Sequence, residues 1–288
     1  GQPGKTRPIG ISCFEDKIVQ GALREVLSAV YEQDFRDCSY GFRPRRSAPQ
    51  ALQALWQGLM QMGGGWVVEV DIHHFFDTVD HRHLRSFLDQ RVRDGVIRRT
   101  LDKWLKAGVL EGTTLSHPEQ GTPQGSGISP LLANLYLHEV LDRWWEATVK
   151  PRLKGRASLI RYAADAVLTF ACEEDARRVL EVLPKRFGKY GLTLHPDKTR
   201  LLRFAPPLRR ATEAEPRAGD TAHSFEFLGL THYWGKSRQG QWVVKRQTAA
   251  GRFGRTRKRI AHWCRANRHQ PVVRQHQHLS SQLRGHDA

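Results

Sequence analysis

Two aspartates occupy positions at which the chain could bind a metal ion. Asp71 follows Trp66–Val70, a largely apolar run that is typical of a buried β-strand. A carboxylate at the end of a buried strand is costly unless it has a partner, and a metal ion is the natural one. Asp165 follows a tight connection between two short β-prone runs, Ser158–Arg161 and Ala166–Phe170, which predicts a hairpin with its tip at a functional edge. Asp71 and Asp165 are therefore candidate functional carboxylates.

Histidines and cysteines offer an alternative metal chemistry that the spacing does not favour. The histidines close to Asp71 are His73, His74, His81 and His83. Neighbouring side chains on an extended segment point in opposite directions, so these imidazoles do not converge easily and we do not predict zinc there. The cysteines are Cys13, Cys38, Cys172 and Cys264, with no Cys-x-x-Cys pair. This spacing argues against a zinc ribbon or a disulfide framework and favours a reducing, cytoplasmic location.

The charge of the chain predicts a polyanionic partner. A net charge of +17 over 288 residues, with a pI near 10.3, most simply indicates nucleic acid binding. Residues 236–288 hold 13 Lys and Arg against one acid, Asp287. Since helical apolar spacing, Trp263 and Leu283 occur in the same stretch, a folded basic surface is favoured over a solvated tail. No run of 18 or more apolar residues occurs, so we expect no membrane span.

The chain is long enough for one large domain or for two to three subdomains. Both helices and strands are predicted to position these residues. Apolar spacing predicts helices in Phe14–Tyr31, Ala48–Met60 and Glu173–Tyr190. Asp80 is a predicted N-cap, and the loop Gly121–Gly127 leads to a helix with Ser129 as N-cap and Pro130 as its first residue. The stretch Ala205–Ala222 is predicted to be a loop.

At least five motifs, in order along the chain, resemble those of group II intron reverse transcriptases. They are Lys5–Ile11, Ser39–Pro44, Asp71–Asp77, Pro123–Asn134, Tyr162–Asp165, Gly191–Thr199, Phe225–Leu230, Trp263–His269 and Leu283–His286. The resemblance covers nearly the whole chain and implies an α+β right-hand polymerase with fingers, a ferredoxin-like palm of antiparallel sheet plus helices, and a partial helical thumb. The implied divisions are fingers at 1–64 and 80–125, palm at 65–79 and 126–234, and a thumb or maturase region at 235–288.

The same resemblance implies roles for individual residues. The catalytic positions are Asp71, Asp165 and the altered position Ala164, and the metal ligands are Asp71, Ile72 and Asp165. The expected cofactor is Mg²⁺, with Mn²⁺ as an alternative. Nucleotide binding is implied for Lys5, Arg7, Ile72, Phe76, Gln124, Gly125 and Lys198, and Asn134 belongs to the same motif as Gln124. Nucleic-acid binding is implied for Arg43, Arg45, Arg46, Phe227, Leu228, Gly229, Arg255, Arg257, Lys258, Arg265 and Arg268.

One position departs from the family pattern. Where the family commonly has Tyr-Ala-Asp-Asp, this chain has Ala164 in place of the first aspartate. The resemblance implies an RNA-directed DNA polymerase that extends a primer 3′-hydroxyl with dNTPs by two-metal phosphoryl transfer, and Ala164 predicts that it is inactive or strongly impaired. Whether Ala164 is an introduced change or a natural loss stays open.

Two alternatives in the binding class also remain. One is a maturase-like protein that assists intron RNA folding and splicing without polymerisation. The other is a basic RNA-binding protein that has only borrowed the fold. The expected partners are an RNA template, a DNA or RNA primer, dNTP and structured intron RNA, with no membrane and with a homodimer left open.

Overall fold

The computed structural model describes residues 12–107, 109–111, 114–116, 120–122, 126–207 and 223–287. The helices are α1 (Phe14–Tyr31), α2 (Ala48–Met62), α3 (Phe75–Thr78), α4 (His81–Asp89), α5 (Gly95–Lys106), α6 (Ser129–Leu137), α7 (Glu173–Gly188), α8 (Ala250–Asn267) and α9 (Val272–Asp287). The strands are β1 (Gly65–Val70), β2 (Val109–Glu111), β3 (Thr114–Ser116), β4 (Ala157–Tyr162), β5 (Asp165–Phe170), β6 (Arg200–Phe204), β7 (Ser224–Phe227), β8 (Leu230–Lys236) and β9 (Trp242–Thr248). After α6 the helix continues as π-helical turns at His138–Asp142 and Trp145–Val149 and a 3₁₀ turn at Lys150–Arg152.

The central sheet has the ferredoxin-like topology that the resemblance implied. Its strand order is β4-β5-β1-β6, and every neighbouring pair is antiparallel. Along the chain these strands alternate with helices as β1–α6–β4–β5–α7–β6, the split βαβ arrangement. Because β1 pairs on both sides, its carboxyl end lies at the centre of one sheet edge, beside the hairpin that joins β4 to β5. The α+β fold class is therefore confirmed.

The two faces of this sheet pack against different cores because alternate side chains of a strand point to opposite sides. On one face Val68, Val70 and Leu168 pack into a large cluster with α6 and α7. On the other face Val67, Ile160, Val167, Leu202 and Phe204 pack with α2 and with the sheet β7-β8-β9. Asp71 and Asp165 continue β1 and β5 with the alternation of this second face.

Local signals explain where several elements begin and end. The Asp80 carboxylate accepts hydrogen bonds from the amides of Arg82 (2.7 Å) and His83 (3.2 Å), so the predicted N-cap is confirmed. Gly63 ends α2 with φ +69°, a left-handed conformation that favours glycine. The α6 prediction was wrong by one residue, since Ser129 is already helical and Ile128 occupies the cap position. Ile128 has no side chain that can cap the helix, and Pro130, the second helical residue, has the fixed φ that suits a helix start.

The C-terminal helices form a hairpin attached to the second sheet. The Ala249 amide, just before α8, donates to the Gly229 carbonyl in the β7–β8 turn (3.0 Å). Trp263 of α8 stacks on His278 of α9, with ring centroids 4.1 Å apart. No residue of α8 is buried, so its basic side chains are open to solvent. Among the described helices, none combines the length and hydrophobicity needed to cross a membrane.

Candidate active site

The structure brings Asp71 and Asp165 to one cleft. Val70 pairs with Ala166 across β1 and β5, so the next residue on β1 and the preceding residue on β5 face each other at the sheet edge. Both aspartates line a cleft of about 390 Å³ with Lys198 and with Leu228 and Gly229 of the β7–β8 turn. Two residues that are 94 positions apart in the sequence thus share one site, as the resemblance implied.

The electrostatics of this pair are those of crowded carboxylates with one nearby cation. The Asp165 side chain is reached by solvent, yet its pKa is raised, first because surrounding protein limits hydration of the charged form and second because Asp71 lies close. Lys198 opposes that shift, and its Nζ donates to Oδ2 of Asp71 at 2.6 Å. A metal cation bound by Asp71 and Asp165 must therefore either displace the Lys198 ammonium group or share the Asp71 carboxylate with it.

Glu69 is a carboxylate of the cleft that the sequence analysis missed. It stands two residues before Asp71 on the same strand, hence on the same face, and lines the same cleft. Burial raises its pKa, and the Arg200 guanidinium and the Glu226 amide (3.1 Å) both hydrogen-bond to it. The alternation of β1 was the signal that could have found it. Glu69 ties β1 and β6 to the start of the β7–β8 hairpin and so fixes the wall of the cleft.

The altered position, Ala164, lies in the two-residue turn between Tyr162 and Asp165, which pair with each other. Ala163 occupies the left-handed region at φ +55°, which is unusual for a residue with a side chain. Ala164 is half-buried and packs against the cluster on the first face of the sheet, whereas Asp165 belongs to the cleft. Residues 164 and 165 therefore point into different surroundings, and Asp165 does not occupy the position of a carboxylate at residue 164.

The predicted nucleotide site is only partly within the described residues. Lys5, Arg7, Gln124 and Gly125 lie outside them. Ile72 is buried and Phe76 is half-buried beside the central core. The carbonyl of Phe76 accepts from the Thr122 amide at 2.7 Å, so the segment that leads to Gln124 begins next to Phe76.

A buried glutamine anchors the other end of that loop, and the sequence analysis gave it no role. Gln20 of α1 accepts hydrogen bonds from the Ser126 hydroxyl (3.0 Å) and the Gly127 amide (2.9 Å). Only three residues separate Thr122 from Ser126, so both ends of the loop are held by partners distant in sequence. No local pattern distinguishes this glutamine from a solvated helical residue.

Arg43 does not have the position that template contact requires. Its guanidinium is buried and donates to Glu32 (2.8 Å) and to the carbonyls of Arg36 (2.7 Å) and Ser39 (2.9 Å). A side chain enclosed by its own loop is not available to a phosphate, so we correct this expectation. Arg45 is exposed, and Arg46 is half-exposed and paired with Asp37. These two remain available at the surface.

Phe227, the last residue of β7, and the β7–β8 turn at Leu228 and Gly229 close one side of the cleft. Leu228 and Gly229 both have positive φ (52° and 77°), which makes the turn tight. A Cβ on Gly229 would come within 2.6 Å of Nη1 of Arg252, so the first turn of α8 lies directly against it. The basic residues Arg255, Arg257, Lys258, Arg265 and Arg268 extend from there along α8 and past its end, and all are exposed.

A divalent cation fits part of this donor set. Asp71, Asp165 and the backbone of Ile72 provide oxygen donors of the kind that Mg²⁺ prefers. Within the described residues no group of three or more His, Cys, Asp or Glu side chains is arranged to hold a metal ion. The rings of His73, His74 and His195 are neighbours, with centroids 4.1 Å apart for His73 and His74 and 5.6 Å apart for His73 and His195. Of the catalytic positions that the resemblance implied, Asp71 and Asp165 carry carboxylates and position 164 carries none.

Comparisons with known proteins show the family and the fold of this chain. Residues 1–232 match the family described as reverse transcriptase (RNA-dependent DNA polymerase). The chain is 37% identical over 193 residues to the group II intron-encoded protein LtrA of Lactococcus lactis, a match that covers 63% of this chain and 32% of LtrA. It is 35% identical over 237 residues to protein YkfC of Escherichia coli, covering 69% of this chain and 60% of YkfC. The chain thus spans about a third of the first relative's length and less than two thirds of the second's.

Solved structures share the fold at low sequence identity. Telomerase of Candida albicans, in a complex with a telomeric RNA fragment, aligns with a TM-score of 0.53 at 15% identity, covering 81% of this chain and 38% of that one. Telomerase of Candida tropicalis aligns with a TM-score of 0.54, covering 80% and 45%. At this identity the likeness supports the fold alone.

Proposed function

Because the chain belongs to the reverse transcriptase (RNA-dependent DNA polymerase) family, and to its group II intron type, we propose that its cleft binds an RNA template with a DNA or RNA primer and a dNTP. The observation that carries the proposal is the meeting of Asp71 and Asp165 at the centre of the palm sheet edge, with Lys198 and the β7–β8 turn around them. The reaction assigned to this arrangement is extension of a primer 3′-hydroxyl.

Each side chain has a task in that reaction. Asp71 and Asp165, with the backbone of Ile72, would hold Mg²⁺, which supplies positive charge where the attacking and leaving oxygens become negative. Lys198 would turn from Asp71 toward the phosphates of the nucleotide, for which its exposed, flexible chain is suited. Phe76 would fill the space that a ribose 2′-hydroxyl needs. The β7–β8 turn would hold the primer end, backed by Arg252.

We infer that Ala164 makes this chain a poor catalyst. Two metal ions need more oxygen ligands than Asp71 and Asp165 offer, and Asp165 does not project where residue 164 does. Weaker metal binding costs rate steeply, since each tenfold loss corresponds to about 1.4 kcal/mol of barrier. We propose a rate lowered by several powers of ten.

The test compares the parent chain with Ala164→Asp in primer extension on an RNA template with Mg²⁺. The restored chain should extend the primer, and Ala164→Asp combined with Asp71→Asn should not. Ala164→Asn is the matched control, because it has nearly the same size without the charge. Equal extension by the parent and Ala164→Asp would refute the role given to position 164. No extension by any variant would count against the polymerase assignment.

A maturase-like function is the second candidate, favoured by the exposed basic face of α8. In that function the chain grips structured intron RNA and needs no metal. RNA binding should then persist in EDTA and in Asp71→Ala, with a log–log salt slope of about −0.7 to −0.9 per phosphate contact. Filter binding over a salt series measures this slope. Binding that hardly changes with salt would exclude both a basic grip on RNA and the proposed template contacts.

A further inference from the structure

Arg161 is a fully buried arginine directly before the hairpin turn. Its side chain has no solvent exposure, and it forms an ion pair with Asp142, whose side chain is equally buried. The Arg161 guanidinium donates to the Asp142 carboxylate at 2.8 and 2.6 Å. It also donates to the side-chain oxygens of Ser39 (2.7 Å) and Asn134 (3.0 Å). The remaining bond goes to the carbonyl of Ala163, in the turn itself (2.9 Å).

The partners of Arg161 come from two separate parts of the chain. Asn134 lies on α6, and Asp142 ends the first π-helical turn after it. The wider π-helical turn changes the direction of the side chains that follow, and such turns are frequent at functional sites. The α6 helix also continues the Gly-rich loop that holds Gln124. Through Arg161, α6 and the π-helical turn after it are therefore joined to the hairpin that carries Asp165.

The segment Cys38–Gly41 lies along the hairpin and is hydrogen-bonded to it. The Arg161 amide donates to the Cys38 carbonyl (2.7 Å), and the Tyr40 amide donates to the Arg161 carbonyl (2.8 Å). Asn134 donates to the Gly41 carbonyl at 2.6 Å. Gly41 lies so close to the turn that an added Cβ would meet the Ala163 nitrogen at 2.3 Å. Backbone and side-chain contacts thus converge on the same turn from both sides.

A general role in stability explains this arrangement incompletely. Burying an ion pair gives little net stability compared with apolar packing, because both charges lose their hydration. The network is instead aimed at a turn whose Ala163 has an unfavourable positive φ, and such strain persists only where surrounding contacts over-determine the backbone. Strain of this kind is concentrated at functional sites.

We propose that Arg161, held by Asp142, Asn134 and Ser39, is a positioning residue that fixes the hairpin turn so that positions 164 and 165 stand at the correct distance from Asp71. The expected effect on catalysis rests on the proposed function. The claim that Arg161 fixes the conformation of the hairpin turn does not.

The test uses Arg161→Lys, which keeps the positive charge beside Asp142 but cannot make all five hydrogen bonds to the four partner residues. Ser39→Ala removes one partner and is the milder variant should Arg161→Lys fold poorly. The matched control is Arg186→Lys, because Arg186 also binds the helix after α6, through the carbonyls of Val140 and Glu139 (both 2.9 Å), without touching the turn.

Two measurements separate positioning from general stability. In hydrogen–deuterium exchange, Arg161→Lys and Ser39→Ala should speed exchange in the peptide 157–170 by about tenfold while leaving α7 unchanged, whereas Arg186→Lys should not affect the hairpin selectively. In the Ala164→Asp background, Arg161→Lys should lower kcat by about 100-fold, as expected for a displacement near 1 Å, with KM for dNTP and primer–template affinity kept.

Equal effects of Arg161→Lys and Arg186→Lys in both measurements would overturn the proposal, as would unchanged exchange of the hairpin. Faster hairpin exchange with an unaltered kcat would also overturn it, since the turn would then move without consequence. Exchange needs no catalysis, so it decides the structural part even if Ala164→Asp extends no primer. That last result would count against the proposed function instead.

Discussion

A single methyl group at Gly41 should displace the hairpin turn. An ideal Cβ at this position would lie 2.3 Å from the Ala163 nitrogen, 3.0 Å from the Tyr162 carbonyl carbon and 3.1 Å from the Ala163 Cα. All three are backbone atoms, so no side chain can rotate away to make room. Non-bonded heavy atoms approach to about 3.5 Å, so Gly41→Ala requires the two segments to separate by about 1 Å.

Overpacking of this kind costs about 1–3 kcal/mol. At about 2–4 °C for each kcal/mol, calorimetry should record a Tm lower by several degrees. Gly21→Ala is the matched control, because nothing lies within 4 Å of its added Cβ and its place inside α1 predicts a gain of up to about 1 kcal/mol. Hydrogen exchange should quicken at the hairpin in Gly41→Ala only. A Tm equal to that of the parent, with unchanged exchange, would refute the tight contact between Gly41 and the turn.

Three further predictions concern charge. Burial, and after it the charge of Arg246, lowers the pKa of His232 from 6.5 to about 4. Between these two pH values the unfolded chain binds a proton that the folded chain does not bind. The free energy of unfolding should therefore fall by about 3 kcal/mol as the pH drops from 6.5 to 4. His232→Phe, which keeps an aromatic ring against Phe225, should remove this fall in urea unfolding, and an unchanged acid limb would contradict it. Lys198→Met should tighten Mn²⁺ binding, measured by EPR, roughly fivefold, because the Lys198 ammonium competes with the metal for Asp71. Asp71→Asn is the non-binding control. Equal Mn²⁺ affinity of Lys198→Met and the parent would argue against that competition. Arg252, Arg255 and Arg259 line a groove of about 390 Å³ between α8 and α9. Replacing all three by Gln should reduce the slope of log affinity for RNA against log salt concentration by about 2–3 units, whereas Arg177→Gln on α7 should leave that slope unaltered. Equal slopes for the triple variant and the parent would exclude the groove as a phosphate contact.

The sequence predicted the elements that depend on local patterns. The apolar run of β1, the hairpin at Tyr162–Asp165 and the Asp80 cap all follow from neighbouring residues, and each is present in the structure. The motifs in order along the chain then implied which strand ends would meet. The alternation of side chains along β1 was also enough to place Glu69 on the cleft side, because it lies two residues before Asp71.

Long-range partners could not be predicted in this way. Arg161 stands in a β-prone run, and nothing nearby indicates that Asp142, 19 residues earlier, would neutralise it in the core. Arg43 belongs to a basic motif that is typical of a surface, yet Glu32 and two loop carbonyls enclose it. In both cases the burial of an arginine depends on acceptors that only the folded chain assembles.

The half-buried methyl group of Ala164 has a consequence for how such a chain can change over time. Because this side chain packs against the apolar cluster while Asp165 faces the cleft, a carboxylate at position 164 would replace apolar contact with a charge that needs hydration. Losing that carboxylate therefore removes a burden on folding. Under the proposed function, aspartate replaced by alanine at position 164 would weaken primer extension and leave the apolar packing of the turn and the exposed basic side chains of α8 unchanged.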